Sequence, residues 1–266
     1  MAISYAPSKT ATRMWALTGA TFTVPRNILV ASLDTTPVTI PVPTYLIEHE
    51  RGLVLFDTGC NPRAATDPEG VYGPLAAATN FKMAPEHTVD AQIRALGYRL
   101  EDVKIVIPSH LHFDHAGGLY LFPHARFYTM HGELQGAYWP PPNARGFFLV
   151  EDYLPTRNFD WFELPDDHDL FGDGSLILLK TPGHTMGGCS LLVRLRHQIV
   201  ILAGDAAHLR EGIEVVNPMP FNVDTRQAAL SIYKLRALRD SLGARIWISH
   251  DPEDWAENPH APQAID

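Results

Sequence analysis

Short apolar runs, each closing at a turn or a polar cluster, recur along the chain and predict its strands. They are TYLIE (Thr44–Glu48), LVLFD (Leu53–Asp57), VKIVIPS (Val103–Ser109), ARFYTM (Ala125–Met130), SLILLKT (Ser175–Thr181), CSLLVRL (Cys189–Leu195), QIVILAGD (Gln198–Asp205) and RIWISH (Arg245–His250). Runs this short and rich in aliphatic residues read as strands, several of them buried on both faces. Helical patterns lie between them. Thr88–Leu96 has threonine in the N-cap position, apolar residues at helical spacing, and Gly97 where a C′ glycine belongs. Thr225–Leu242 is longer: Ala229, Ile232, Tyr233, Leu235, Leu238 and Leu242 form one apolar stripe, and Gly243 follows as the stop. Strand pairs mixed with helices indicate a layered α/β protein. The aromatic- and proline-rich segment Gly136–Pro155 fits neither period. It reads as a long ordered loop that caps the core, walls a pocket or forms a dimer contact.

No repeat, low-complexity tract or composition break divides the chain, so residues 1–266 read as a single domain. Hydrophobic residues make up 45% and charged residues 19%, the balance of a soluble globular protein. Net charge is −9 and there is no dense Lys/Arg run, which argues against nucleic acid or an anionic membrane as a main partner. The N-terminus, MAISYAPSKTATRMWALTGATF, lacks the apolar core of a secretory signal. No window approaches the ~20 apolar residues of a membrane span. Two cysteines, Cys60 and Cys189, are too few for a disulfide framework, and a cytoplasmic location is expected.

The densest chemistry lies in PSHLHFDHAGG (Pro108–Gly118), where His110, His112, Asp114 and His115 follow directly on an apolar run. In an extended turn, residues two apart point the same way, so His110 and His112 can grip one ion while Asp114 and His115 face a second. Imidazole and carboxylate are the donors expected for Zn²⁺ and related divalent metals. Three further strands end in the same chemistry, at His184, Asp205 and His250. Strand ends that converge on one edge of a sheet are where an α/β protein builds its site. The expected division places His110, His112 and His184 on one ion and Asp114, His115 and His250 on the other. Asp205 would bridge the two, since a carboxylate has two oxygens. The remaining histidines, His49, His87, His124, His131, His168, His197 and His260, read as ordinary surface or internally satisfied residues.

SHLHFDHAGG resembles the HxHxDH signature of the metallo-β-lactamase superfamily, and TPGHTMGG, AGDAAH and ISHD resemble its later motifs in the right order. The resemblance runs from LVLFDTGC to ISHD. It implies an αββα sandwich of two mixed β-sheets flanked by helices, with a dinuclear metal site between the sheets. Within the superfamily the chain is most similar to the N-acyl-homoserine lactonases, the quorum-quenching enzymes, whose N-terminal strand hairpin IPVPTYLIEHERGLVLFDTGCNP resembles. One departure stands out. Those enzymes commonly carry a tyrosine three residues past the bridging aspartate, contacting the lactone oxygens, and this chain has His208 there.

The resemblance implies two divalent ions, zinc first, with Fe, Co or Mn admitted by the same donors. Two ions about 3.5–4 Å apart can share a water and lower its pKa. The expected reaction is attack of that metal-bridging hydroxide on the carbonyl of a small-molecule lactone bearing an acyl chain. Asp114 would move the proton, as its equivalent is thought to do in similar lactonases. His208 would orient the carbonyl or the leaving oxygen. The acyl chain needs an apolar groove, for which Met14, Trp15, Phe22, Phe81, Met83, Trp139, Phe147 and Phe148 are candidates; a homodimer is also admitted. The rival reading is a hydrolase of other lactones, of esters or thioesters in the manner of glyoxalase II, or of phosphotriesters on the same site. The acidic C-terminus DPEDWAENPHAPQAID weakens the glutathione-thioester option, and Asp205 argues against a β-lactamase. Flavodiiron relatives usually have glutamate where His112 stands, and a non-catalytic scaffold would be expected to have lost ligands.

Overall fold

The computed structural model describes residues 9–266; the first eight residues of the N-terminal stretch read above for a leader lie outside the described residues. The run LVLF sorts its side chains alternately. Val54 and Phe56 enter one buried cluster, Leu53 and Leu55 another. The run LILL does the same, with Leu176 and Leu178 in the first cluster and Ile177 and Leu179 in a third. A strand that is apolar on both faces needs cover on both, so two sheets face each other and helices cover their outer surfaces.

The strands are β1 (Arg13–Leu17), β2 (Thr21–Pro25), β3 (Pro37–Pro41), β4 (Thr44–His49), β5 (Gly52–Phe56), β6 (Val103–Ile107), β7 (Arg126–Met130), β8 (Asp160–Leu164), β9 (His168–Asp169), β10 (Leu176–Lys180), β11 (Cys189–Arg194), β12 (Ile199–Leu202) and β13 (Arg245–Trp247). One sheet has the order β1-β4-β5-β6-β7-β8, the other β13-β12-β11-β10-β9, and β2 pairs with β3 as a separate ribbon. Both large sheets are mixed: β5, β6, β7 and β8 pair in parallel, as do β12 and β13, and the remaining pairs are antiparallel. Tyr45, Phe56 and Ile107 of the first sheet share the inner cluster with Leu178, Leu191 and Trp247 of the second. Burying each such side chain contributes about 1.5–3 kcal/mol. Ile93 of the helix Val89–Ala95 packs on the outer face of the first sheet, and Leu235 of the helix Thr225–Leu242 on that of the second. This is the helix–sheet–sheet–helix layering that the motifs imply.

Each of the eight apolar runs overlaps one of these strands, with β4 and β5 extending one residue beyond theirs. The five strands outside those runs lie at edges, in a separate ribbon or in a very short segment. β2 and β3 carry Pro25, Pro37 and Pro41, residues that read as turns and that only an edge or a short ribbon tolerates. β8 is an edge strand with a mostly exposed pattern, and β9 has only two residues. β1 supplies the opposite edge of the first sheet and is closed by an isolated bridge between Met14 and Ile265.

The helices also differ in detail from expectation. Thr225–Leu242 forms as read, but its N-cap is Asp224, which accepts the Gln227 N–H. Its buried face is Ala228, Ser231, Ile232 and Leu235, whereas Tyr233 turns outward at 57% exposure because it falls about 100° from Ile232. Thr88 precedes the helix Val89–Ala95 without capping it; its hydroxyl donates to the Pro85 carbonyl instead. Gly136–Pro155 is not wholly loop, since it joins the helices Glu133–Tyr138 and Val150–Tyr153. Among the described residues, no helix is long and apolar enough to cross a membrane.

Candidate metal centre

β10 and β12 both run antiparallel to β11, and β13 runs parallel to β12, so the C-terminal ends of β10, β12 and β13 share one edge. Leaving that edge, the chain carries His184 past β10, Asp205 in a 3₁₀ turn past β12, and His250 past β13. From the facing sheet, β6 leads to His110 and His112, and the short helix Phe113–Ala116 holds Asp114 and His115. All seven side chains are buried and meet in one place.

The donor atoms form overlapping groups, including His110 with His115 and Asp205, and two of these groups have the membership expected from sequence. His110, His112 and His184 present donor atoms that all lie within 4.8 Å of one another, as do Asp114, His115 and His250. In the first group His112 Nδ1 and His184 Nε2 are 3.1 Å apart. Asp205 stands between the groups. Its Oδ2 lies 3.4 Å from His184 Nε2 and 3.8 Å from His110 Nε2, while its Oδ1 lies 3.3 Å from His115 Nε2 and 3.2 Å from His250 Nε2. Asp114 Oδ2 is 3.6 Å from His250 Nε2 and 3.7 Å from His115 Nε2.

A second ring of contacts orients these side chains. The His250 Nδ1–H donates to the Pro41 carbonyl at 2.8 Å, leaving Nε2 to face inward. His115 Nδ1 lies 2.9 Å from Asp57 Oδ2, and Asp57 Oδ1 accepts the Ser109 N–H at 2.6 Å. Glu133 is fully buried and ties two ligand loops together. Its Oε1 accepts the Leu111 N–H at 2.8 Å, and its Oε2 accepts the Thr185 hydroxyl at 2.7 Å and the Gly187 N–H at 2.9 Å. Asp57 closes the apolar run LVLF, the signal that also marked Asp205 and His250, yet it was not singled out from sequence. Glu133, in the first turn of a helix, carries no sequence signal of this role.

Electrostatics favour proton-free donors in the first group. Burial, reinforced by neighbouring histidines, holds His110 and His112 well below the ordinary imidazole pKa. Burial takes His184 down to about 3. In the second group burial also opposes the imidazolium, but Asp205, Asp57 and Asp114 outweigh it and hold His115 well above its ordinary value. For His250, Asp205 outweighs burial and raises the pKa. Burial would raise the Asp205 carboxyl, but His250, His115 and His208 hold it well below the carboxylate range.

These residues fit divalent metal ions. His110 Nε2 is buried with no hydrogen-bond partner, and so are His115 Nε2 and Asp205 Oδ1, which face each other. Orphaned polar atoms of this kind are costly unless something electropositive satisfies them. Imidazoles, those of His110, His112 and His184 held proton-free, and carboxylates converging at ligand spacing provide what such ions require.

An apolar cavity of about 430 Å³ opens onto the centre. Phe22, Val24, Ile28, Leu29, Ile40 and Met219 are among its walls, and His112, Asp114, Asp205, His208 and His250 line its polar end. Of the aromatic and methionine candidates read from sequence, Phe22 and Phe147 line this cavity, and Phe148 packs edge-on to His112 at 4.4 Å. Met14 and Trp15 are in the core, Phe81 and Met83 border a separate groove, and Trp139 is 77% exposed beside another. His208 is buried, with Nε2 3.0 Å from Asp205 Oδ2.

Comparison with known proteins agrees with this architecture. Residues 38–250 match the family model described as the metallo-beta-lactamase superfamily. The chain is 34% identical over 231 residues to the N-acyl homoserine lactonase AttM of Azorhizobium caulinodans, covering 85% of this chain and 88% of that protein. It is 32% identical over 222 residues to the N-acyl homoserine lactonase of Bacillus cereus, covering 80% and 82% respectively. Among solved structures, an N-acyl homoserine lactone hydrolase with N-hexanoyl-L-homoserine bound at its catalytic metal center superposes with a TM-score of 0.84. That structure is 26% identical, with 97% of this chain and 100% of that chain covered.

Proposed function

The chain belongs to the metallo-beta-lactamase superfamily, and we propose that this metal-dependent hydrolase opens the lactone ring of N-acyl homoserine lactones. The observation that carries the reading is the cavity, in which an apolar wall large enough for an acyl chain ends on the buried His/Asp cluster. Relatives named as N-acyl homoserine lactonases, similar over more than three quarters of the chain, support it.

His110, His112 and His184 would hold one ion, Asp114, His115 and His250 the other, and Asp205 would offer one oxygen to each. Zinc is the proposed occupant, and the donor set also admits Fe, Co or Mn. Two divalent ions bound there would supply a water of lowered pKa and polarise a carbonyl. The chain's own groups do the rest. Phe22, Ile40 and Met219 bind the acyl tail and exclude water from around it. Asp114, at the cavity end, takes the proton of the attacking water at its carboxylate and returns it to the ring oxygen as the C–O bond breaks. One water is consumed, and the single product is a hydroxy acid, whose new hydroxyl is the former ring oxygen and whose carboxyl group loses its proton at neutral pH. Proton release by metal-loaded protein, followed against lactones, thioesters, β-lactams and phosphotriesters, tests the reading. Turnover of acyl homoserine lactones is expected. Thioester turnover with no lactone turnover at any acyl length would overturn it.

A further inference from the structure

We propose that His208 is itself a metal ligand, donating through Nε2 to the ion shared by His110, His112, His184 and Asp205 Oδ2. The inference rests on the reading of the His/Asp cluster as a metal centre and extends its donor set. Asp205 divides its oxygens: Oδ1 faces His115 and His250, and Oδ2 faces His110, His184 and His208. Of the Nε2 atoms around Oδ2, that of His208 lies nearest, at 3.0 Å, with His184 at 3.4 Å. Donors that share an ion through bonds of ~2.0–2.2 Å stand roughly 3–3.5 Å apart, the range of both contacts. The donor atoms of His184, Asp205 and His208 also fall within 4.8 Å of one another, the same spread as in the two groups already described.

His208 is built like His184. Both rings are buried, both turn Nε2 toward Asp205 Oδ2, and both leave a buried Nδ1 without a hydrogen-bond partner. One position then has five side-chain donors and the other four: Asp114, His115, His250 and Asp205 Oδ1. The two ions are therefore held unequally. Under this assignment His208 acts on the metal centre rather than on the lactone, the role that its place three residues past Asp205 suggests from sequence.

Cobalt-substituted wild-type protein tests the assignment without a mutation. Hyperfine-shifted, exchangeable imidazole N–H signals in its proton NMR spectrum count the coordinated histidines: His110, His112, His115, His184, His250 and, if the proposal holds, His208. A count limited to the first five overturns it. His208→Phe supplies the second measurement. The variant should release one of its two ions to a chelator at least tenfold more readily, and its cobalt d–d absorption should gain intensity as that ion loses a ligand. Two ions retained as in the wild type, with an unchanged cobalt spectrum, would also overturn the proposal while leaving the metal centre intact. Failure of the wild type to bind any divalent ion would instead remove the metal-centre reading, and this inference with it.

Discussion

The backbone N–H of Leu111, the residue between His110 and His112, donates to Glu133 Oε1 at 2.8 Å. Through Oε2 the same carboxylate accepts from Thr185 and Gly187, just past His184, so one buried side chain sets the separation of two ligand loops from opposite sheets. Glu133→Ala would leave three buried donors unsatisfied, at ~1–3 kcal/mol each. A loss of at least ~3 kcal/mol in urea unfolding is expected, together with reduced metal content by elemental analysis. Glu133→Gln, which keeps one acceptor oxygen, should fall between. Wild-type stability and metal content in the alanine variant would show that the bridge is idle.

Asp57 orients His115, and Asp205, Asp57 and Asp114 together outweigh burial and raise its pKa, so a metal binding at His115 competes with a proton there. Metal affinity should therefore increase with pH, and metal uptake in weakly buffered solution should release protons. Asp57→Asn should weaken metal binding by about 10–100-fold, the usual effect of losing such an outer partner. Competition with a chelating dye measures both. An affinity independent of pH would refute the coupling.

Asp152 predicts a pH effect away from the metal centre. Burial pushes its carboxyl up to about 6, offset only in part by the Asn61 amide that donates to Oδ1, and Oδ2 has no hydrogen-bond partner. A carboxyl with a folded pKa above its unfolded one favours the folded state below the unfolded pKa. That contribution is lost as pH rises through about 6. Asp152→Asn should thus stabilise the protein at pH 7 by on the order of 2 kcal/mol and change little at pH 4. Unfolding midpoints at the two pH values decide it. An equal effect at both would remove the ionisation from the account.

Gly183 precedes His184 with φ +134°, and a Cβ there would lie 2.2 Å from the Ala228 backbone nitrogen. The loop is also pinned to the start of the helix Thr225–Leu242, where Asp224 N–H donates to the Gly183 carbonyl. Gly183→Ala combines backbone strain with a clash against main chain, which cannot swing aside as a side chain can. A destabilisation of ~2–4 kcal/mol is expected from denaturant unfolding. A change below ~0.5 kcal/mol would mean that the loop and helix separate freely.

Met219 lines the apolar cavity. Met219→Trp should shorten the space open to an acyl chain while replacing none of the proposed metal donors. kcat/KM for long-chain lactones should fall at least tenfold more than for short-chain ones, read from proton release across a chain-length series. An equal loss at all lengths would place the acyl chain elsewhere.

Much of this was legible along the chain because strand alternation is a local property. Val54, Phe56, Leu176 and Leu178 sort to the inner layer simply because neighbouring residues in a strand point to opposite faces. β2 and β3 were hidden by their prolines, and β8 by its exposed edge. Tyr233 shows the limit of a stripe drawn on apolarity: the helix presents Ser231 to the core, where its hydroxyl donates to the Pro182 carbonyl, and turns the tyrosine out.

The residue types and their order along the chain are enough to put metal-competent donors at the ends of apolar strands, because a buried strand that ends in histidine or aspartate places that group at the rim of a sheet. They do not say which Asp205 oxygen meets which histidine, or that Asp57 reaches Ser109 across 52 residues of chain. Nor do they show that Glu133 joins two loops, or that Ile40 and Met219 share a wall with Phe22. Those relations depend on how two twisted sheets are aligned and on a few tenths of an ångström in the loops that leave them. Chain spacing sets what chemistry a segment can offer, and packing between distant segments sets the distances at which that chemistry works.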